Sequence, residues 1–164
     1  MPSASSSVTK PEGWTMAQAV IRPANPGDLA ALVDLLRILF SIEADFDFDA
    51  ARQHQGLTML LAHETAVILV AETAGQVIGM CSGQLTISTA EGGFALLVED
   101  VVVAEPWQGR GIGRELMTAL EQWGASRMVG RLQLLADRNN AAALGFYRKL
   151  GWQPTELICQ RRRL

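Results

Sequence analysis

The stretch "VVVAEPWQGRGIGRELM", from Val101 to Met117, is the most restrictive part of this 164-residue chain. An apolar run of strand character leads into Gly109, Gly111 and Gly113, each two residues from the next, and a helical pattern begins at once. A strand that turns through glycines into a helix aims backbone amides and the positive end of a helix dipole at one point, which suits a phosphate. A Walker-type loop needs Lys and then Ser or Thr after its last glycine, and Arg114 and Glu115 stand there instead. A dinucleotide fingerprint needs a glycine three residues past its second one, and counting from Gly111 and Gly113 that place is Leu116. What remains is a pyrophosphate seat built from Gln108, Gly109, Arg110, Gly111, Ile112 and Gly113, or a glycine turn that holds nothing.

The surrounding pattern predicts one α/β domain with a mixed sheet over residues 18–164, preceded by a flexible Ser- and Pro-rich extension over residues 1–17. A short strand ends near Arg22, and Leu29, Leu32, Val33, Leu36 and Phe40 mark an amphipathic helix from about Pro26 to Ser41. A second helix follows from about Ala50 to His63. Three runs, "AVILVAET", "GQVIGMCSGQLTIS" and "FALLVEDVVV", predict a meander of strands. The rest alternates: a helix from Gly111 to Ser126, a strand "RLQLLA", a helix from Ala141 to Leu150, and closing strands near "WQP" and "LICQRRR".

Charge and cysteine content exclude several functions. A formal net charge of -3 gives no general attraction to nucleic acid or anionic lipid. Cys81 and Cys159 are isolated, which points away from a disulfide framework, and His54 and His63 lack a third partner at metal-ligand spacing, so no metal is expected. No apolar run approaches the roughly 18 residues of a membrane span, and the N-terminus lacks the basic start of a signal peptide. A soluble, cytoplasmic protein is the expectation.

The loop resembles the acyl-CoA loop of the GNAT superfamily of N-acetyltransferases, whose Gln-x-x-Gly-x-Gly pattern is filled by Gln108, Gly111 and Gly113. A second motif, "NAAALGFYRKLGW" from Asn140 to Trp152, is similar to the last helix of that family, with Trp152 where Phe is more usual. The resemblance spans roughly residues 19 to 163. It implies the GNAT acyl-CoA N-acyltransferase fold, an α/β architecture with a mixed, mostly antiparallel sheet splayed between its fourth and fifth strands and flanked by helices. It implies acetyl-CoA as cosubstrate, its pantetheine along Val101, Val102 and Val103 and beside Asn140, its pyrophosphate on the amides of Gln108 to Gly113 with Arg110 or Arg114 as charged partners. It also implies that Tyr147 faces the CoA sulfur as general acid. The activity implied is transfer of the acetyl group to a primary amine of a small molecule or peptide by direct attack on the thioester. A catalytically silent CoA-binding regulatory module of the same fold is the alternative.

Two carboxylates on the expected fourth strand, Glu99 and Asp100, compete for the role of base. Side chains alternate along a strand, so Glu99 shares a face with Val101 and Val103, the parity that family members with a strand-four glutamate use. Glu99 is the expected base, acting directly or through water. The acceptor is less constrained. Glu43, Asp45, Asp47 and Asp49 interleaved with Phe46 and Phe48 suit a cationic amine or are a solvated loop, whereas "VEDVVV" locally resembles glucosamine-phosphate acetyltransferases, which take an anionic acceptor. A homodimer is left open.

Overall fold

A computed structural model describes residues 18–43 and 45–164, so the expected extension lies outside the described residues. In chain order the elements are β1 (Val20–Pro23), α1 (Leu29–Ile42), α2 (Ala50–Leu61), β2 (Ala66–Thr73), β3 (Gln76–Ser88), β4 (Gly93–Val103), α3 (Ile112–Ser126), β5 (Arg131–Leu134) and α4 (Ala141–Lys149). Short 3-10 turns at Pro26–Asp28 and Glu105–Trp107 precede α1 and the glycine loop. The five strands lie in the order β1-β2-β3-β4-β5, antiparallel throughout except for the parallel β4–β5 pair.

Local chemistry fixes the entry to the helices. Ahead of α1, the Asn25 side chain accepts the Gly27 amide at 2.8 Å while Asp28 accepts the Asn25 amide at 2.8 Å, a reciprocal capping box. Arg22 on β1 clamps Asp28 through both terminal guanidinium nitrogens, at 2.8 and 2.9 Å, and its Nε donates to Glu72 on β2 at 2.7 Å. One arginine thus ties two strands to the turn that starts α1. Asp49 caps α2 by accepting the Ala51 and Arg52 amides at 3.0 and 3.1 Å.

Each face of the sheet has its own core. Ile112, Leu116, Met117 and Leu120 of α3 pack with Val67, Leu69, Ile78, Leu96 and Val98, and Phe146 and Tyr147 of α4 lean on the same cluster. Leu32, Leu35 and Leu36 of α1 and Leu57 of α2 cover Ile68, Val70, Met80 and Val102 on the other face. β2 and β3 therefore read as near-continuous apolar runs because both of their faces are buried.

Two irregularities in β4 position the site. Its pairing with β5 runs from Ala95 opposite Arg131 to Val98 opposite Leu134 and goes no further, although β4 continues to Val103. The strands splay there, as expected. On the other edge, Met80 lies opposite Val102 but Ser82 lies opposite Glu99, so Cys81 alone faces Asp100 and Val101. This is a β-bulge, and Asp100 sits in the left-handed region at φ 54°.

The closing strands do not form: among the described residues no strand follows α4, and Leu157 and Ile158 are 87% and 70% exposed. These two apolar residues are adjacent, so a strand would turn them to opposite faces, and here neither has a core to join. Pro154 also lacks an amide to donate to a ladder. Among the described residues, no helix is long and apolar enough to cross a membrane.

Candidate active site

Where β4 leaves β5, a cleft of about 180 Å³ opens, lined by Val98 to Val103, by Leu134 to Asp137 beyond β5, by Asn140, Ala143 and Tyr147 of the α4 region, and by Ile38, Leu39, Ile42 and Glu43 at the end of α1. The outward main-chain groups of Glu99 to Val102 that a fifth strand would engage border this cleft instead, while the Val103 carbonyl is taken by a side chain. The structure thereby brings Glu99, Val101, Val102, Val103, Gln108, Asn140 and Tyr147 to one place.

The glycine loop lies at the end of that edge. The Gln108 side chain donates to the Val103 carbonyl at 2.9 Å and so fixes the loop to the last residue of β4. Gly109 and Gly111 adopt φ of 73° and 88°, and a side chain at either would meet nothing within 4 Å. Their role is to turn the backbone in open space. Gly111 is the N-cap of α3 with no side chain capping it, so the first-turn amides at Ile112, Gly113 and Arg114 point outward without an intrahelical acceptor. An elongated thioester ligand with a strand-like arm and a diphosphate fits these two features: an unpaired strand edge running into an uncapped helix start. Gly113 serves differently, because a Cβ there would come within 3.2 Å of the Phe146 ring; it lets α3 approach α4. Arg110 lies 5.0 Å over the Trp107 ring, while Arg114 is exposed on the first turn of α3.

The bulge overturns the parity argument that separated the two carboxylates. Leu96 and Val98 join the α3 core before it, and Val101 and Val103 lean on that same core after it, a shift of one residue. Glu99 therefore does not share a face with Val101 and Val103. It accepts from Gln84 Nε2 at 3.3 Å, and Asp100 accepts from Ser82 Oγ at 3.0 Å. Ser82 and Gln84 have the parity of Met80, which belongs to the α1 and α2 core, so both carboxylates turn to that side. The Glu99 side is exposed, whereas burial pushes the Asp100 carboxyl up to about 6 despite the Ser82 hydroxyl, with Glu99 and Glu43 adding like charge.

Tyr147 packs edge-on to Phe146 at 5.2 Å and tilted to Trp152 at 5.9 Å. Burial, with the Glu43 carboxylate and Cys81 nearby, pushes its phenol up to about 12, so it carries its proton throughout the neutral range. Asn140 caps α4 by accepting the Ala143 amide at 2.9 Å while lining the cleft. Burial raises the Glu43 carboxyl as well, followed by the charges of Asp137, Asp45 and Glu99. The acidic linker is divided: Glu43 faces the cleft, Asp45 pairs with Arg161 at 3.6 Å, and Asp49 is a helix cap.

A second cavity, of about 320 Å³, lies between α1, α2 and the β3–β4 pair, and Asp100 borders both cavities. Sequence reasoning did not name the partners Ser82 and Gln84. The available signal was two consecutive carboxylates inside an otherwise apolar strand. Among the described residues, no group of three His, Cys, Asp or Glu could hold a metal ion.

Residues 29–152 match the model of the acetyltransferase (GNAT) family. An aminoglycoside N(6')-acetyltransferase type 1 from Stenotrophomonas maltophilia is 30% identical over 144 residues, which are 84% of this chain and 88% of that protein. N-alpha-acetyltransferase 80 from Mus musculus is 48% identical over 64 residues; that match takes in 39% of this chain and only 19% of the mouse protein. Among solved structures, an aminoglycoside N-acetyltransferase in complex with CoA superposes with a TM-score of 0.79 at 18% identity, covering 94% of this chain and 99% of the other.

Proposed function

This chain belongs to the acetyltransferase (GNAT) family, and on that premise we propose that it transfers the acetyl group of acetyl-CoA to the primary amine of a small cationic molecule. The observation that carries the reading is the splayed edge of β4 ending in the uncapped start of α3, with Asp100 and Tyr147 lining the same cleft. That a relative of similar length is named for an amino sugar acceptor favours a small molecule over a peptide.

Acetyl-CoA, when bound, supplies an acyl group already activated for attack by an amine. Val101 to Val103 offer strand-edge groups to the pantetheine, and the amides from Gly109 to Gly113, with Arg110 and Arg114 at hand, receive the diphosphate. An acceptor amine arrives mostly as ammonium, since its pKa is about 10, and attracts to Glu43, Glu99 and Asp137 at the cleft. It must lose a proton before it attacks. The Glu99–Asp100 pair receives that proton: Asp100 is the deeper of the two, with its carboxyl raised to about 6, and Glu99 beside it is exposed to water. Tyr147 Oη donates toward the departing thiolate, which its protonated state at neutral pH permits.

The test is thiol release from acetyl-CoA by the purified chain against a panel of primary amines. Turnover that depends on the amine upholds the reading. Binding of acetyl-CoA without turnover of any amine overturns it in favour of a silent CoA-binding module.

A further inference from the structure

Among the described residues no strand follows α4, yet the end of the chain is fastened to the linker between α1 and α2. Arg161 Nη1 lies 3.6 Å from an Asp45 carboxylate oxygen, and the same guanidinium stands 4.6 Å over the Phe46 ring. One cation thus meets a carboxylate and a ring face on consecutive linker residues. Phe46 in turn stacks on Phe40 of α1 with 5.6 Å between ring centroids, and Arg37 of α1 stands 5.0 Å over Phe48. The linker is therefore held both by α1 and by the C-terminal segment.

What this grip controls is Glu43. It is the C-cap of α1, with its amide on the Leu39 carbonyl at 3.2 Å, and the chain turns out of the helix there. Glu43 lines the cleft two residues before Asp45. The titratable groups that bear on it are Asp45 on the linker, Asp137 beyond β5, Glu99 and Asp100 on β4 and Tyr147 on α4, none of them a cation. Burial first, and then like charge, raises its carboxyl. A carboxylate so placed is drawn toward water and away from its neighbours, so it stays only if the backbone that carries it is fixed. One end of that backbone belongs to α1. The other runs into Asp45 and Phe46, where Arg161 holds it.

We propose that Arg161 is a positioning residue for the acceptor: by tethering Asp45 and Phe46 it keeps Glu43 turned into the cleft, where an arriving ammonium meets it. Arg161 is not among the residues that line the cleft, and it acts through Glu43. For its effect on turnover the inference rests on the acetyl-transfer reading above, to which it adds a part played by the last residues of the chain.

Two consequences of removing the Arg161 cation have opposite signs. With Glu43 left in place, loss of a nearby positive charge raises its carboxyl further. With Glu43 released into water, the burial and the like charges that raised it are lost, so its carboxyl falls toward the ordinary glutamate range. The direction of the change separates a tether from a surface ion pair that holds nothing.

The experiment compares wild type with Arg161→Met, which keeps most of the side-chain length and removes the charge, with Arg161→Lys, with Glu43→Gln, and with the double variant Arg161→Met/Glu43→Gln. Carboxyl carbon NMR follows the Glu43 titration, assigned by the signal lost in Glu43→Gln. Kinetics use acetyl-CoA with kanamycin and with phenethylamine. In Arg161→Met the Glu43 titration should move to lower pH, and KM for the amine should rise about fivefold, the scale of one charge contact in water, with kcat largely kept. Arg161→Lys, whose cation can still reach the carboxylate and the ring, should restore most of both effects. The double variant should be no worse than Glu43→Gln alone, since the two residues act as one unit. A Glu43 titration that rises or stays unchanged in Arg161→Met overturns the tether, whatever the kinetics. An equal rise in KM with and without Glu43 overturns the path through that residue, and an unchanged KM with Glu43 released overturns its bearing on the acceptor. If neither amine is turned over while Glu43 still moves to lower pH, acetyl transfer to these amines fails and the tether stands.

Discussion

Ser82 Oγ donates to the Asp100 carboxylate at 3.0 Å at the point where the ladder between β3 and β4 slips by one residue. The bond reaches across the bulge and gives a half-buried carboxylate a single hydroxyl partner. That is too little to offset its desolvation, and the group is left readily protonated.

Asp100→Asn should lower kcat/KM at neutral pH by about 10²-fold, the usual scale for loss of a general base. In wild type the rate should climb as pH rises through about 6, where the carboxylate forms. That limb should vanish in Asp100→Asn. Glu99→Gln, which also removes a like charge facing Asp100, should shift the limb to lower pH and keep most of the rate. A limb that persists in Asp100→Asn removes the assignment.

The same raised value predicts a stability effect of definite sign. The native state holds a proton on Asp100 more tightly than the unfolded chain does, so this group's contribution to stability falls as pH rises from about 4 to about 6. Roughly two pKa units correspond to about 3 kcal/mol. Asp100→Asn should be more stable than wild type above pH 6, and the gap should close toward pH 4. Urea melts at the two pH values measure it.

Tyr147→Phe retains the ring contacts with Phe146 and Trp152 and removes only the hydroxyl. Its melting temperature and acetyl-CoA affinity should match wild type, while kcat falls about 10²-fold. An unchanged kcat, measured where chemistry limits the rate, rules out proton donation by this residue.

Two glycines of one loop should fail in different ways. Gly111→Asp places a negative side chain at a φ of 88° in open space beside the proposed diphosphate seat, so it should abolish thermal stabilisation by acetyl-CoA. Gly113→Val drives its side chain into the Phe146 ring and should lower the melting temperature with no ligand present. If Gly111→Asp is stabilised by acetyl-CoA as fully as wild type, the loop is not the seat.

Arg22→Met leaves Asp28, only 8% exposed, without its main partner. The cost should be about 1–3 kcal/mol, the scale for leaving a charged hydrogen-bonding group without its partner. Because the guanidinium holds the Asp28 carboxyl below its usual range, the wild-type benefit is present above about pH 4 and lost as pH falls below it. Arg22→Met should therefore differ most from wild type near neutrality, as denaturant titrations at pH 7 and pH 3 would show.

The sequence was legible where pattern and geometry coincide. The two motifs around Gly111 and Tyr147, the meander, and α1 to α4 all lie where periodicity and glycine spacing put them, because each is set by local chemistry. The order of Glu99 and Asp100 was not legible. Alternation assumes an unbroken ladder, and on a strand with both faces apolar a one-residue slip leaves the hydrophobic pattern unchanged. The C-terminal "LICQRRR" misled in the opposite sense: strand-forming residues were present without a face to bury them.

The departure of β5 at Val98 and Leu134 leaves an unpaired main-chain edge inside the sheet rather than at its rim. Five residues of β4 lie past that point, with Leu135 63% exposed nearby. Such an edge pairs with any extended chain that reaches it, so without a ligand it is a place where two molecules can join edge to edge. A pantetheine arm lying there would act as a protecting strand. Cosubstrate level would then govern the colloidal behaviour of this protein as well as its rate, through the same backbone groups.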